Sequence, residues 1–313
     1  MTDTLKTAGR LGQAPSAVVM VLPHHFYPND ETAADNAFQH DAGSDRAKVA
    51  QQAYDEVVAA AEKLRAVGVT VHLFEDKGTA TPDSVFPNNW FSTHRDGRIA
   101  LYPMYAPSRR PERRADIVDA LKAEYSVSGI VDYSGAEADD LFLEGTGAMV
   151  LDHLDRIAYI SLSHRADETL ARRFGQEFNY EPVMFETVGP DGNAIYHTNV
   201  MMNVGTKLAL VGFETITDPN RRQTVRQRLE ATGRTIVDLG PDQINQFAGN
   251  AFEVRGKDGL FLVMSETASR SLTTEQRGTI EAEMPILPFS VPTIELAGGS
   301  ARCMLAGIHL PPR

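Results

Sequence analysis

The chain has 313 residues, 42% hydrophobic and 23% charged, the composition of a globular protein with a large core. Its 42 acidic against 30 basic side chains give a formal charge of −12, which argues against nucleic acid and against an anionic membrane surface as partners. One cysteine excludes an internal disulfide, and no apolar run approaches ~20 residues, so the expectation is a cytoplasmic protein with no membrane partner.

Residues 1–16 are polar, lack the apolar region of a signal peptide and read as a flexible leader. "AVVMVL" at 17–22 reads as a strand. Residues 23–45, from "PHHFYPND" onward, have no clean period. A loop this long is usually functional or disordered, so a lid and an ordered surface excursion are both expected forms. A helical pattern over 46–66 then runs into the β-branched stretch "GVTVHLF" at 68–74.

That step recurs. Helical patterns at 111–124, 166–178, 219–232 and 273–283 lead into "GIVDY" at 129–133, "EPVMFE" at 181–186, "RTIVDL" at 234–239 and "PILPFS" at 285–290. Marked from Val69, Gly129, Pro182, Thr235 and Ile286, the steps are 60, 53, 53 and 51 residues. Pro111 and Pro219 suit first-turn positions, and Thr273 with Gln276 reads as a capping box. After each marker a second strand opens on a polar cluster: "FPNNW", "LEGTGAM", "YHTNVMM", "FAGNAFEV" and "GGSARCML". The offsets from marker to Asn89, Glu144, His197, Asn250 and Cys303 are 20, 15, 15, 15 and 17.

Further strands are expected at 98–102, 157–162, 208–213 and 260–265. The fifth cluster strand, 303–310, has no partner after it, and the first unit lacks a strand before it. Five similar units in a ring, closed by pairing the C-terminal strand with 17–22, satisfy both ends and bring the five clusters together. The chain reads as one domain, 1–313.

Cys303 fits two roles, a thiolate nucleophile or a small buried residue. Its "GGSAR" approach permits tight bends, and Arg302 can add positive potential near a thiolate. His197 is a candidate general base and acid, or a structural histidine. Glu144 is a candidate to orient His197, or a strand-end carboxylate bonded to backbone N–H groups. No metal set is evident, because the adjacent His24 and His25 are not spaced to share one face. "GTG" and "AGGS" are too weak to suggest phosphate loops, and no cofactor is expected.

The order "FPNNW", "EG", "HTN", "GN" and a late "GGSARC" resembles the guanidino-group-modifying (pentein) superfamily over nearly the whole chain. That superfamily includes arginine deiminases, dimethylargininases, amidinotransferases and dihydrolases. The resemblance implies an α/β fold, a five-bladed ββαβ propeller, and a small amino-acid substrate. It implies attack by Cys303 on a guanidino or ureido carbon, proton transfer by His197, and Glu144 holding His197. It implies that Arg165, in "SLSHRAD", grips the substrate α-carboxylate and that Asn250 lines the amino-acid end. "PHHFYPNDETAADNAFQ" and "FPNNWFSTH" resemble the citrulline-utilisation hydrolase branch.

Two positions depart from the deiminase pattern: Asn89 and Asn199 stand where deiminases carry carboxylates that clamp a cation. A guanidinium buried without counter-charge loses several kcal/mol of compensation, whereas an amide both donates and accepts, as a neutral ureido group requires. Asp83 is a candidate residual carboxylate. The expectation is a cysteine-dependent hydrolase of a ureido or guanidino amino acid. The alternatives are an amidinotransferase, a deiminase or dimethylargininase-like activity, and a non-catalytic ring. Homo-oligomerisation is left open.

Overall fold

The computed structural model describes residues 12–33, 36–189 and 192–313. Among the described residues, fifteen strands form five three-stranded sheets, all of one topology. The sheets are β3–β4–β5 (Phe91–Thr93, Arg98–Leu101, Gly129–Asp132), β6–β7–β8 (Met149–Asp152, Ile157–Ser161, Glu181–Phe185), β9–β10–β11 (Met202–Val204, Leu208–Val211, Thr235–Asp238) and β12–β13–β14 (Phe252–Gly256, Gly259–Ser265, Ile286–Phe289). The fifth joins β1 (Ala17–Pro23) and β2 (Thr70–Asp76) to the C-terminal β15 (Ala306–Gly307).

In every sheet the first strand pairs antiparallel with the middle one, and the middle strand pairs parallel with the last. A parallel pair needs a long crossover, and a helix provides each one. These are α1 (Arg46–Ala66), α2 (Ala115–Glu124), α3 (Glu168–Phe178), α4 (Pro219–Ala231) and α5 (Thr274–Glu281). The first strands of different sheets meet: β6 touches β9, β9 touches β12, and β15 touches β3. The expected pairing of the chain ends is present, with Val18 opposite Gly307 and Val19 opposite Ala306.

The helices form where capping and period agree. Asp45 accepts from the Lys48 N–H at the start of α1, and Val49, Ala53, Val57, Ala60, Ala61 and Leu64 form its buried stripe. Pro219 stands at the start of α4, and the Thr273–Gln276 capping box opens α5.

Three expectations need correcting. The predicted helix from 111 begins only at Ala115, because Pro107–Glu112 is a 3-10 turn that contains Pro111. The fifth cluster strand is Ala306–Gly307 alone, since Ser300 to Met304 wind through a turn closed by Cys303 N–H to the Ser300 carbonyl (2.9 Å). The predicted leader 1–16 is not uniform. Residues 1–11 lie outside the described residues, but Gly12 to Pro15 are buried. Gln13 there donates to the carbonyls of Leu151 (2.9 Å) and Val204 (2.7 Å) and accepts from His153 N–H (2.8 Å). No helix among the described residues is long and apolar enough to cross a membrane.

Candidate active site

Each cluster residue sits on a tight turn just ahead of the first strand of its sheet. Asn89 ends the 3-10 turn Pro87–Asn89 before β3. Glu144 and His197 are the N-caps of the one-turn helices Gly145–Ala148 and Thr198–Met201 before β6 and β9. Asn250 follows Phe247, whose φ of +60° is left-handed, and its N–H bonds back to the Phe247 carbonyl (2.8 Å). Gly145 needs its glycine, because φ is +47° and a Cβ would stand 2.6 Å from the Asn88 carbonyl oxygen.

The turns bring these side chains together in a buried interior. Cys303, His197, Glu144, Asn89, Asn199, Asn250, Arg165, Asp83 and Arg109 are each no more than 3% exposed. In such surroundings charges act far more strongly on one another than in water. The Cys303 Sγ receives two amide donors, Asn250 Nδ2 at 3.3 Å and Asn199 Nδ2 at 3.5 Å. Asn250 is itself fixed, with Nδ2 also on the Asn199 carbonyl (3.0 Å) and Oδ1 accepting from Arg302 N–H (3.0 Å).

His197 Nε2 lies 2.8 Å from Glu144 Oε2, and Glu144 Oε1 accepts from Tyr105 N–H at 2.9 Å. Burial works to raise the Glu144 pKa, but Arg165 (3.7 Å), the His197 hydrogen bond and Arg109 (3.8 Å) outweigh it and hold the carboxyl down to about 2. Burial lowers the His197 pKa, against the opposing pull of Glu144. A carboxylate only accepts, so Nε2 carries the proton in this bond and Nδ1 is left to exchange one. Gly147 lies beneath that nitrogen: a Cβ there would stand 2.7 Å from His197 Nδ1 and 2.2 Å from Asn89 Nδ2.

Asn89 does not reach a carboxylate. Its Oδ1 accepts from Arg109 Nη1 (3.0 Å), which fixes the amide orientation, because an arginine only donates. Asn89 Nδ2 and Asn199 Oδ1 are buried with no hydrogen-bond partner among the described residues, one a donor and the other an acceptor. Asp83 lies 3.7 Å from Arg109 Nε and accepts from Asn29 (2.9 Å), so it serves Arg109 and the loop 23–45. Arg165 packs over the Tyr196 ring at 4.8 Å, beside Glu144.

Sequence reasoning missed Arg109 and Glu112, which pair through two hydrogen bonds of 2.8 and 2.9 Å. They stand at the start of the predicted helix; two adjacent arginines between Pro107 and Pro111, followed by an acid, were the available signal. The described part of loop 23–45 packs over this region. Asn36 donates to the Ala297 carbonyl (3.1 Å), and buried Phe38 meets Tyr196 and Phe247. No group of three histidine, cysteine, aspartate or glutamate side chains placed to hold a metal ion occurs among the described residues.

Five ββαβ sheets that carry a cysteine, a histidine–glutamate pair and buried amides at matching turns define the pentein class of guanidino-modifying enzymes. The profile of the family "N,N dimethylarginine dimethylhydrolase, eukaryotic" matches residues 22–310, and the chain belongs to that family. It is accordingly a hydrolase acting on non-peptide C–N bonds.

No curated protein matches the sequence. Among solved structures, the chain resembles the N-terminal domain of ArgZ, an arginine dihydrolase from the ornithine–ammonia cycle in Cyanobacteria, in a cysteine-to-serine variant bound to substrate. Identity is 17%, the TM-score is 0.74, and 94% of this chain covers 98% of that one. The same values hold for an asparagine-to-serine variant of that domain covalently bound to a reaction intermediate. A cysteine-to-serine variant of the dimethylarginine dimethylaminohydrolase (DDAH) of Pseudomonas aeruginosa, complexed with citrulline, matches with 14% identity and a TM-score of 0.66, over 94% of this chain and 99% of that one. At these identities the likeness speaks for the fold alone.

Proposed function

We propose that this hydrolase cleaves a C–N bond of a ureido or guanidino amino acid, citrulline or an arginine-like compound, through a covalent bond to Cys303. We infer also that its five sheets are the blades of one closed α/β propeller spanning 1–313, with the five clusters at its axis. The observation that carries the chemistry is the pair of amides on Cys303 Sγ beside the His197–Glu144 bond. Two N–H donors favour a thiolate, and a histidine with one nitrogen committed to a carboxylate is suited to carry protons with the other.

The thiolate adds to the central carbon of the substrate, forming a C–S bond. His197, which holds the Cys303 thiol's proton on Nδ1, gives it to the leaving nitrogen, the C–N bond breaks, and ammonia or the ornithine amine departs. An S-linked acyl or thiouronium intermediate remains. His197 then takes a proton from water, the hydroxide attacks the same carbon, and the C–S bond breaks to restore the thiolate. Two observations on relatives agree with such a route. The ArgZ domain with substrate and the Pseudomonas enzyme with citrulline are both cysteine-to-serine variants, and the other ArgZ variant holds a covalent intermediate.

Asn89 and Asn199 carry the choice of substrate. Arg109 turns the Asn89 carbonyl away, so its N–H donor is left to a substrate acceptor, while Asn199 Oδ1 is left to a substrate donor. One acceptor and N–H donors are what a ureido group has; a guanidinium has donors only. Arg165 grips the α-carboxylate, and Asn250 lines the amino-acid end while it holds the sulfur. A second reading, turnover of methylated arginine, is favoured by the family match.

Parallel incubation with citrulline, arginine, agmatine and dimethylarginine, scored for ammonia and ornithine, separates these. Citrulline turnover without arginine deimination is expected. Arginine-to-citrulline conversion alone overturns the amide argument. Added amine acceptors test the amidinotransferase alternative. Cys303→Ala abolishes turnover with the circular-dichroism spectrum unchanged; retained turnover refutes the nucleophile.

A further inference from the structure

Beside the catalytic cluster lies a second polar space. An internal cavity of about 40 Å³ is lined by chain neighbours of the site residues and not by those residues themselves: Thr146, Ala251 and Arg302 stand one or two positions from Glu144, Asn250 and Cys303. Gln13 also lines it, held by its three backbone hydrogen bonds. A larger surface cavity of about 550 Å³, lined by Arg95 and Arg255, shares His309 with the inner one.

The ionisable lining holds arginines and neutral groups but no carboxylate; burial lowers the pKa of both His153 and His309. The inner cavity has Arg302, His153 and His309; the outer has Arg95, Arg255, His309 and Tyr125; neither has an aspartate or glutamate. This is unexpected in a chain with 42 acids and 30 bases. The acids on the lining strands are engaged elsewhere: Asp152 pairs with Arg234 (2.7 Å) and Glu253 accepts from Thr206 N–H (2.9 Å).

Arg302 is only 9% exposed and stacks on Phe252 at 4.2 Å. Among the described residues its guanidinium makes one hydrogen bond, Nη1 to the Leu305 carbonyl (2.7 Å), and no ion pair. A buried cation with most of its donors unused is costly unless a counter-charge joins it. Burial depresses its pKa, to about 10, with the neighbouring Cys303 pulling the other way.

We propose that the inner cavity is a binding site for a small inorganic anion of chloride size, held by the Arg302 guanidinium and reached past Arg95, Arg255 and His309. The size decides the class: roughly 10–15 Å³ of such space holds one water, so 40 Å³ admits a halide with a water or two and excludes an anion as large as an amino acid. The site bears on the reaction, because Arg302 adjoins Cys303 and its N–H holds the Asn250 amide that donates to Cys303 Sγ. An anion there cancels positive potential that favours the thiolate, so an occupied site slows Cys303.

The test is a chloride titration of the intact protein at constant ionic strength, with gluconate as the balancing anion. Chloride-35 NMR line width is read for wild type, Arg302→Met and the Arg95→Ala/Arg255→Ala double variant, beside the rate of Cys303 alkylation by iodoacetamide. Wild type shows saturable broadening and slower alkylation with the same midpoint. Arg302→Met loses the broadening, and the double variant shifts the midpoint severalfold upward; if Arg302→Met does not fold, the double variant decides. No saturable broadening in wild type, or a midpoint unchanged in every folded variant, overturns the site. An alkylation rate indifferent to chloride overturns the link to Cys303.

Discussion

Gly147→Ala tests whether the His197 and Asn89 nitrogens must meet at close range. The added Cβ would lie 2.2 Å from Asn89 Nδ2, 2.7 Å from His197 Nδ1 and 2.8 Å from His197 Cε1. Comfortable contact is near 3.5 Å, so the two side chains must retreat by about 1 Å. Neither can do so cheaply, since His197 is tied to Glu144 at 2.8 Å and Asn89 to Arg109 at 3.0 Å. A displacement of ~1 Å in reacting groups costs on the order of 10²-fold in rate, and overpacking costs about 1–3 kcal/mol of stability. The assay is steady-state kinetics on the substrate found in the panel, with a urea melt alongside. The loss belongs in kcat. A variant that folds and keeps kcat within threefold refutes the argument that these two nitrogens are held in working positions.

Gly278→Ala is the matched control. Nothing lies within 4 Å of a Cβ there, the residue is inside α5, and alanine favours a helix by roughly 0.5–1 kcal/mol, so the melt rises slightly and kcat stays put. Glu144→Gln keeps the shape but removes the charge that holds His197 and is shared with Arg109 and Arg165. It lowers kcat by on the order of 10²–10⁴-fold, measured in the same assay, while Cys303 alkylation continues; unchanged kcat removes Glu144 from the mechanism.

The repeated unit was legible because its signals are local. Alternation marks the strands, the 3.6-residue period and caps mark the helices, and the near-constant step from marker to marker betrays the repetition. The pairing of β15 with β1 followed from counting which strand each end lacked. What escaped was set by distant partners. The chain around Cys303 reads as a strand by composition, yet a turn held by Ser300 leads into it. Arg109 carries no local signal of its role, and only the fold reveals that Asp83, Glu112, Glu144 and Asn89 converge on it. Gln13 sits in a polar segment with no period, and its three backbone partners lie at least 138 residues away.

Two buried groups predict a stability plateau where their opposed titrations overlap. Burial, aided by His309 and opposed by Asp96, holds His94 down to about 3, with its Nε2 on Ser92 Oγ (2.8 Å) and its ring stacked on Phe178. Its ordinary value is near 6.5, so below that pH the unfolded chain takes a proton that the folded one refuses. The stabilisation is complete above pH 6.5 and is lost as pH falls toward 3, amounting to about 2 kcal/mol by pH 5. Glu112 acts in the other sense. Burial, with Asp83 and Glu144 adding and Arg109 opposing, pushes it up to about 7. Between its ordinary 4.5 and 7 the folded protein keeps a proton that the unfolded chain has released, so stability falls as pH rises through that window. Melting temperatures from pH 4.5 to 8 separate the two. Between pH 4.5 and 6.5 the two slopes oppose and largely cancel in wild type, so His94→Gln uncovers a fall in stability as pH rises and Glu112→Gln uncovers a rise, whatever constant offset each substitution adds. If both variants keep the wild-type slopes, neither group titrates as its burial requires.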